Sequence, residues 1–292
     1  MSLQHTPVLL KETLELLSPK PGDKIIDGTV GLGGHAKSLL EKILPNGRLL
    51  ALDRDPRQIP LAKKNLVSFG DRVVFINDSY ANLAKHAYAQ GFAPVAAVLL
   101  DLGFSSVHVA DAARGFSFQT EGPLDMRYDP AGSLTAAEII NHWSETELAK
   151  TFLLLGEERN AKKLARAIVE ERKQKEFVTT LDLAEFILTV TPRHGKIHPA
   201  TKVFQALRLA VNDELGELQK ALPEIVGVLK PGGRLAVITF HSLEDSVVKK
   251  FFKKIDKKEI KIINKHVIVP TQKEVASNPR ARSAKLRVIE RL

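Results

Sequence analysis

Cysteine is absent from the 292 residues. Disulfides and thiolate metal sites are therefore excluded, and a reducing cytoplasm is the expected location. Long hydrophobic runs are also missing. The longest, around Ala93 to Leu100, is far too short to cross a bilayer, so no membrane partner is expected. Nothing at the start reads as a secretory leader; residues 1–20 form an amphipathic helix pattern carrying Lys11, Glu12 and Glu15. There is no internal repeat and no low-complexity tract, and no spacing of His, Asp or Glu suggests a metal site. What remains is ordinary for a globular protein, with 44% hydrophobic and 26% charged residues. The balance of charge is less ordinary. The net formal charge is +9 and the pI about 9.6, which suits a polyanionic partner such as nucleic acid but also simple solubility.

The most informative stretch is Lys24 to Asp53. A short apolar run, Lys24 to Asp27, meets a turn rich in glycine (Gly28, Gly31, Gly33, Gly34). An apolar-periodic helix follows from about His35 to Leu44, then a break at Pro45, Asn46 and Gly47, then a second apolar run ending on Asp53. This is a βαβ unit whose loop cradles one end of a nucleotide-like cofactor while the acid takes ribose hydroxyls. Further strands are expected at Val73 to Asn77, Val95 to Leu100, Arg234 to Phe240, Ile260 to Ile263 and Leu286 to Glu290. Helices are expected near Pro56, Tyr80 to Gln90 and Leu215 to Leu229. Between Ser105 and His198 only helices are expected, with capping boxes at Thr135/Glu138, Ser144/Glu147 and Thr179/Asp182. Ser242 with Asp245 reads as another cap. The organisation is a sheet domain of residues 1–107 and 200–292 with a helical insertion, 108–199.

Gly31-x-Gly33-x-x-Ala36 fits the loose dinucleotide fingerprint, so a nicotinamide-dependent oxidoreductase is one reading. S-adenosylmethionine is the other, since Asp53 serves either ligand. Three features favour the methyl donor. The fourth strand ends in Asp101-Leu102-Gly103, where open α/β sheets place chemistry. A Lys230-Pro231-Gly232-Gly233-Arg234 turn precedes strand five, and Leu286 to Glu290 could close the sheet antiparallel. The basic charge suits a nucleic-acid substrate.

The chain resembles the bacterial 16S ribosomal-RNA cytosine-N4 methyltransferases, the RsmH or MraW type. The resemblance rests on ordered blocks along nearly the whole chain: HTPVLL at 5–10, DGTVGLGGH at 27–35, ALDRDP at 51–56, LLDLGFSS at 99–106, RGFSF at 114–118, GPLDMR at 122–127, FQALRLAVNDEL at 204–215, TFHSLEDSVVK at 239–249 and NPRARSAKLR at 278–287. It implies an S-adenosylmethionine-dependent, Rossmann-like methyltransferase sheet with an inserted helical domain. The implied reaction is methylation of a cytidine in the decoding region, cytosine 1402 in the family, on an assembled or nearly assembled small ribosomal subunit. Gly33, Gly34 and His35 would lie along the methionine part of the donor, Asp53 on the ribose, Tyr80 beside the adenine and Asp101 near the reacting end. The family continues with Ser-Ser-Pro-Gln; here the run is Ser105-Ser106-Val107-His108, so His108 stands where the next contact would come.

The exocyclic amine of cytosine is a poor nucleophile and needs alignment, a proton acceptor and a dry pocket. Asp101 or neighbouring backbone carbonyls could accept the proton; Asp101 could equally only position the cofactor. The base must be single-stranded or flipped. Phe104, Phe116, Phe118 and Tyr128 could stack on it or pack a core. Arg114 and Arg127 could pair with phosphate or with Asp125 or Glu121. Phe204, Leu207, Val211 and Leu215 form an apolar helical stripe, and Gln205, Arg208 and Asn212 fall on another, a face suited to substrate or to solvent. His241 could relay a proton or serve as a structural hydrogen-bonder. Arg159, Lys162, Lys163 and Arg166, and Arg280, Arg282, Lys285 and Arg287, are basic clusters available to RNA or to water. A non-catalytic RNA-binding assembly factor is the remaining alternative.

Overall fold

Buried parallel strands need apolar residues on both faces, and the short apolar runs of this chain supply them. In the computed structural model, which describes residues 6–193, 195 and 198–292, every run expected to be a strand is one. His5 of the first block lies outside the described residues. The strands are β1 (Lys24–Asp27), β2 (Arg48–Asp53), β3 (Val73–Asn77), β4 (Val95–Asp101), β5 (Leu229–Thr239), β6 (Ile260–Ile262) and β7 (Lys285–Arg291). Among the described residues they form one sheet in the order β3-β2-β1-β4-β5-β7-β6. β1 to β5 run parallel. β7 returns antiparallel beside β5 and carries β6 at the edge.

Alternate residues of each strand feed two cores. Ile25, Leu49, Ala51, Leu99 and Ile238 pack with Leu39, Leu40 and Ile43 of the helix Gly34–Ile43. Ile26, Leu50, Leu52, Leu100 and Val237 face the other way, against Leu83, Leu222 and Val248. β5 starts earlier than expected. Leu229 pairs with Val95 before the Lys230–Arg234 turn, and a register shift between Val95 and Ala97 absorbs the irregularity. The amphipathic start of the chain yields the helix Leu10–Leu17.

The chain divides into two compact units, Met1–Gly103 with Leu215–Leu292, and Phe104–Glu214. The second contains the helices Ala136–His142, Glu145–Leu154, Ala161–Glu171, Thr180–Val190 and Ala200–Asn212. The Ser144 and Thr179 boxes form in full, and Thr135 accepts from the Glu138 N–H. Ala200–Asn212 belongs to this unit, not to the sheet domain in which the sequence boundaries placed it. Its Ala200, Val203, Phe204 and Leu207 are buried with Ile139, Phe152, Leu164 and Ile187. The cap after β5 also differs from expectation. His241, not Ser242, caps the helix Ser242–Lys254, with Glu244 returning the bond. Asp245 is instead held by Arg287 at 2.7 Å and by Lys285 at 3.5 Å. Those two basic residues therefore belong to the fold, and His241 acts as a structural hydrogen-bonder.

Candidate active site

Three strands end in carboxylates: Asp27 on β1, Asp53 on β2 and Asp101 on β4. β1 lies between the other two, so the three acids line the carboxyl edge where open α/β sheets hold ligands. The glycine loop leaves β1 at this edge. Gly33 sits at φ +83° as the residue before the helix Gly34–Ile43, a conformation that costs a side chain dearly. At Gly34 a Cβ would come within 2.7 Å of Pro7 Cγ, so the amino-terminal segment presses directly on the helix start.

Asp53 fixes the loop. Its Oδ2 accepts the Gly31 N–H at 2.8 Å and its Oδ1 the Asp55 N–H at 2.9 Å. Asn77 bridges the loop after β2 to β3 through the Asp53 and Arg54 carbonyls. Tyr80, half-buried just after β3, lies against Gly28, where a Cβ would be 3.2 Å from Tyr80 Cβ.

His35 is buried, and its Nε2 lies 3.0 Å from the Val8 carbonyl. A carbonyl only accepts, so Nε2 carries hydrogen. Nδ1 then faces Asp101 Oδ2 at 3.4 Å. A bare Nδ1 lone pair against a carboxylate would repel it; protonation of the ring removes the conflict. Burial opposes that charge, but the Asp101 hydrogen bond and the carboxylates of Asp101 and Asp27 outweigh it and raise the His35 pKa. Asp27 is pushed up to about 7, chiefly by burial, with His35 opposing and Asp101 and Asp53 adding repulsion. Thr29 ties the loop to β4 by accepting the Asp101 N–H at 2.7 Å. Asp101 Oδ1 is buried with no hydrogen-bond partner among the described residues. A buried orphan carboxylate oxygen is costly and marks a place for an N–H or O–H from a ligand. Neither Asp27 nor Thr29 was singled out from sequence as a site residue. The available signal was an acid closing β1 directly before the first glycine.

Gly33, Gly34, His35, Asp53, Tyr80 and Asp101 thus gather in the sheet unit. Most of the other sequence candidates belong to the helical unit. In the helical unit His108 is buried, its Nδ1 accepting the Ser105 N–H at 2.9 Å. Its ring packs 4.9 Å from Phe116 and 5.2 Å from Tyr128. Arg127, read as a possible phosphate contact, is chelated by Asp125 at 2.9 and 2.6 Å and donates to the Pro130 and Gly132 carbonyls. Against the upward pull of burial, Arg127 holds the Asp125 carboxyl below its usual range. Arg114 is buried and donates to the Arg127 and Tyr128 carbonyls. The Gln205/Arg208/Asn212 stripe also turns inward. Arg208 pairs with Glu214 at 2.8 Å. Asn212 accepts from the Tyr128 N–H and donates to the Met126 carbonyl. Gln205 donates to the Leu155 carbonyl. Phe116 is in the core and Phe118 and Tyr128 pack against it, while Phe104 remains 41% exposed with the Arg208 guanidinium 4.7 Å from its centroid. Arg280 and Arg282 are exposed on the short turn Pro279–Ser283 before β7. Among the described residues no cluster of three His, Asp or Glu is placed to hold a metal ion.

Strand order, glycine loop and acids at the strand tips define the fold of S-adenosylmethionine-dependent, Rossmann-like methyltransferases. A crystal structure assigned to an rRNA methylase from Clostridium thermocellum shares it, with TM-score 0.51 at 16% identity over 99% of this chain and 100% of that one. Residues 2–292 match the MraW methylase family, and the chain belongs to that family. A ribosomal RNA small subunit methyltransferase H from Dictyoglomus thermophilum is 48% identical over 288 residues, covering 98% of this chain and 96% of its own. The protein of that name from Dehalococcoides mccartyi is 46% identical over 305 residues, covering 99% of this chain and 86% of its own.

Proposed function

We propose that this protein is an S-adenosylmethionine-dependent ribosomal-RNA methyltransferase that modifies N4 of a cytidine, cytosine 1402 in the decoding region, during maturation of the small subunit. The observation that carries the reading is the match of nearly the whole chain to proteins named ribosomal RNA small subunit methyltransferase H. The orphan Asp101 Oδ1 at the tip of β4 supports it in chemical terms.

Gly33, Gly34 and His35 would hold the amino-acid end of the donor, Asp53 the ribose and Tyr80 the adenine. When bound, the donor supplies an electrophilic methyl on a sulfonium. The amine must offer its lone pair to that carbon; the N–C bond forms as the C–S bond breaks, and the amine then loses a proton. Asp101 Oδ1 takes an N–H of the amine and, after transfer, the proton. The His35 imidazolium holds Oδ2, so that Oδ1 remains turned to the reacting side. The reacting atom lies outside the ring, so no covalent enzyme intermediate is needed. The helical unit recognises substrate, with the exposed Phe104 as a stacking surface, and Arg280 and Arg282 of the sheet unit contact phosphate.

The test is mass spectrometry of 16S RNA from a deletion strain, with and without this protein restored. N4-methylcytidine lost on deletion and regained on restoration is the expected result. An unchanged modification pattern refutes it.

A further inference from the structure

The donor site and the exposed arginines leave unused the most charged part of the chain. Between residues 249 and 265 there are eight lysines and two acids, Asp256 and Glu259. That local excess of six positive charges compares with nine for the whole chain. The interleaved Phe251, Phe252, Ile255 and Ile260 identify a folded segment, not a charged tail.

Lys249, Lys250, Lys253 and Lys254 occupy the last turns of the helix Ser242–Lys254; Lys257 and Lys258 follow, Lys261 lies on β6, and Lys265 is just beyond it. All eight are exposed. None of the eight ammonium groups makes a hydrogen bond or ion pair among the described residues. By contrast, Lys173, Lys175, Lys202, Lys230 and Lys285 each sit against an acid. Lysines at a helix C-terminus gain from the backbone dipole, but one or two suffice for that. A lysine on an edge strand discourages aggregation, which accounts for Lys261 alone.

The partner must be anionic, and its class can be narrowed. Val248 and Phe252 are buried in the sheet core, so the helix has no free apolar face to insert into lipid. Lysine is depleted at the cores of protein interfaces. An ammonium is a compact charge with no directional fork, suited to phosphate and blind to base identity.

We infer that the face formed by Lys249, Lys250, Lys253, Lys254, Lys257 and Lys258 grips the phosphate backbone of ribosomal RNA, independently of sequence. The inference rests on the RNA-methylation reading and gives the sheet unit an RNA surface in addition to Arg280 and Arg282. Such a surface would set how strongly binding depends on salt, without choosing the target base.

The experiment compares wild type with a combined Lys249→Gln, Lys250→Gln, Lys253→Gln, Lys254→Gln variant and with the same four positions changed to Arg. Glutamine keeps helix propensity at these exposed sites. Affinity for a 16S RNA fragment is measured from about 50 to about 300 mM KCl. Four lost phosphate contacts should flatten the slope of log affinity against log salt by about 3. The Arg variant should keep the wild-type slope, and S-adenosylmethionine binding and melting temperature should be unchanged in both. Wild-type RNA binding with an unaltered slope in the Gln variant overturns this surface and leaves the methylation reading standing. A wild-type protein that binds the donor but no RNA overturns both. An unaltered RNA slope with lost binding to phosphatidylglycerol vesicles overturns the RNA assignment in favour of a membrane.

Discussion

Replacing a carboxylate at the centre of the donor site should stabilise this protein. Asp27 is buried at the end of β1, and burial pushes its carboxyl up to about 7 from 3.8. An acid whose folded pKa exceeds its unfolded one destabilises the fold when it ionises. The penalty is absent below about pH 4, grows as pH rises towards 7 and is constant above it. A shift of about three units sets a ceiling of about 4 kcal/mol at pH 8. His35 works in the same direction. Its raised pKa contributes stability that is complete below its unfolded value and lost as pH rises through the folded one. Wild-type stability should therefore fall between pH 5 and pH 8. Asp27→Asn removes the Asp27 part, and the amide oxygen can still accept the Thr29 N–H that Asp27 Oδ1 holds at 3.1 Å. It also removes a carboxylate from the His35 imidazolium, which returns part of the gain. The expected outcome is a stability increase about 2 kcal/mol larger at pH 8 than at pH 5, read from urea unfolding at the two pH values. Methyl transfer should fall in the same variant, because His35 then holds its proton less firmly beside Asp101. Equal destabilisation at both pH values would refute the reasoning. So would wild-type stability that rises with pH.

Asp53→Ala removes an acceptor that holds Gly31 and would hold the ribose; donor affinity should drop on the order of a hundredfold, about 3 kcal/mol, in calorimetry, with RNA affinity little changed. Asp101→Asn keeps the shape of the side chain but cannot take a proton, so single-turnover methyl transfer should slow by about 10² to 10⁴ while RNA binding persists. Arg208→Ala breaks a buried ion pair with Glu214 and should cost about 3 kcal/mol in thermal unfolding. The double variant Arg280→Glu, Arg282→Glu should leave melting unchanged and weaken RNA binding.

The strands were legible because a strand buried on both faces announces itself as a short apolar run closed by glycine or proline. β4, with six consecutive buried residues before Asp101, is the clearest case. The antiparallel β7 reads differently, with Leu286 and Val288 buried between half-buried Lys285 and Arg287 in the alternation of a strand wetted on one side. Side-chain direction was not legible. A polar stripe on the helix Ala200–Asn212 reads identically whether it meets solvent or a buried network. The residues that turn it inward are Tyr128, Met126 and Leu155, which belong to other segments. Glu214, placed by the left-handed turn at Asp213, was the local hint that Arg208 had a partner. Arg127 likewise had Asp125 two residues away. His35 could be named only through resemblance, since its partners Val8 and Asp101 are distant in sequence. The helix cap at His241 has its partner Glu244 only three residues on, yet a histidine there does the work expected of Ser242.

The glycine fingerprint that admits a dinucleotide loses that meaning once its amides are followed. A pyrophosphate needs free N–H groups at the loop and helix start, and a field that tolerates anions. Here the Val30 N–H is donated to the Leu52 carbonyl and the Gly33 N–H to the Val30 carbonyl. The Gly31 N–H is donated to the Asp53 carboxylate. The loop is thus largely satisfied from within the protein. The carboxylates add to this: beyond burial, and against His35, Asp101 and Asp53 each raise the pKa of Asp27, so both resist a further negative charge beside them. A phosphate placed there would meet the same resistance at closer range. A sulfonium meets the opposite, since a cation relieves the repulsion among the three carboxylates at the tips of β2, β1 and β4. The residues that string the fingerprint together set only the backbone path; the acids at the strand ends set the sign of the charge that path can hold.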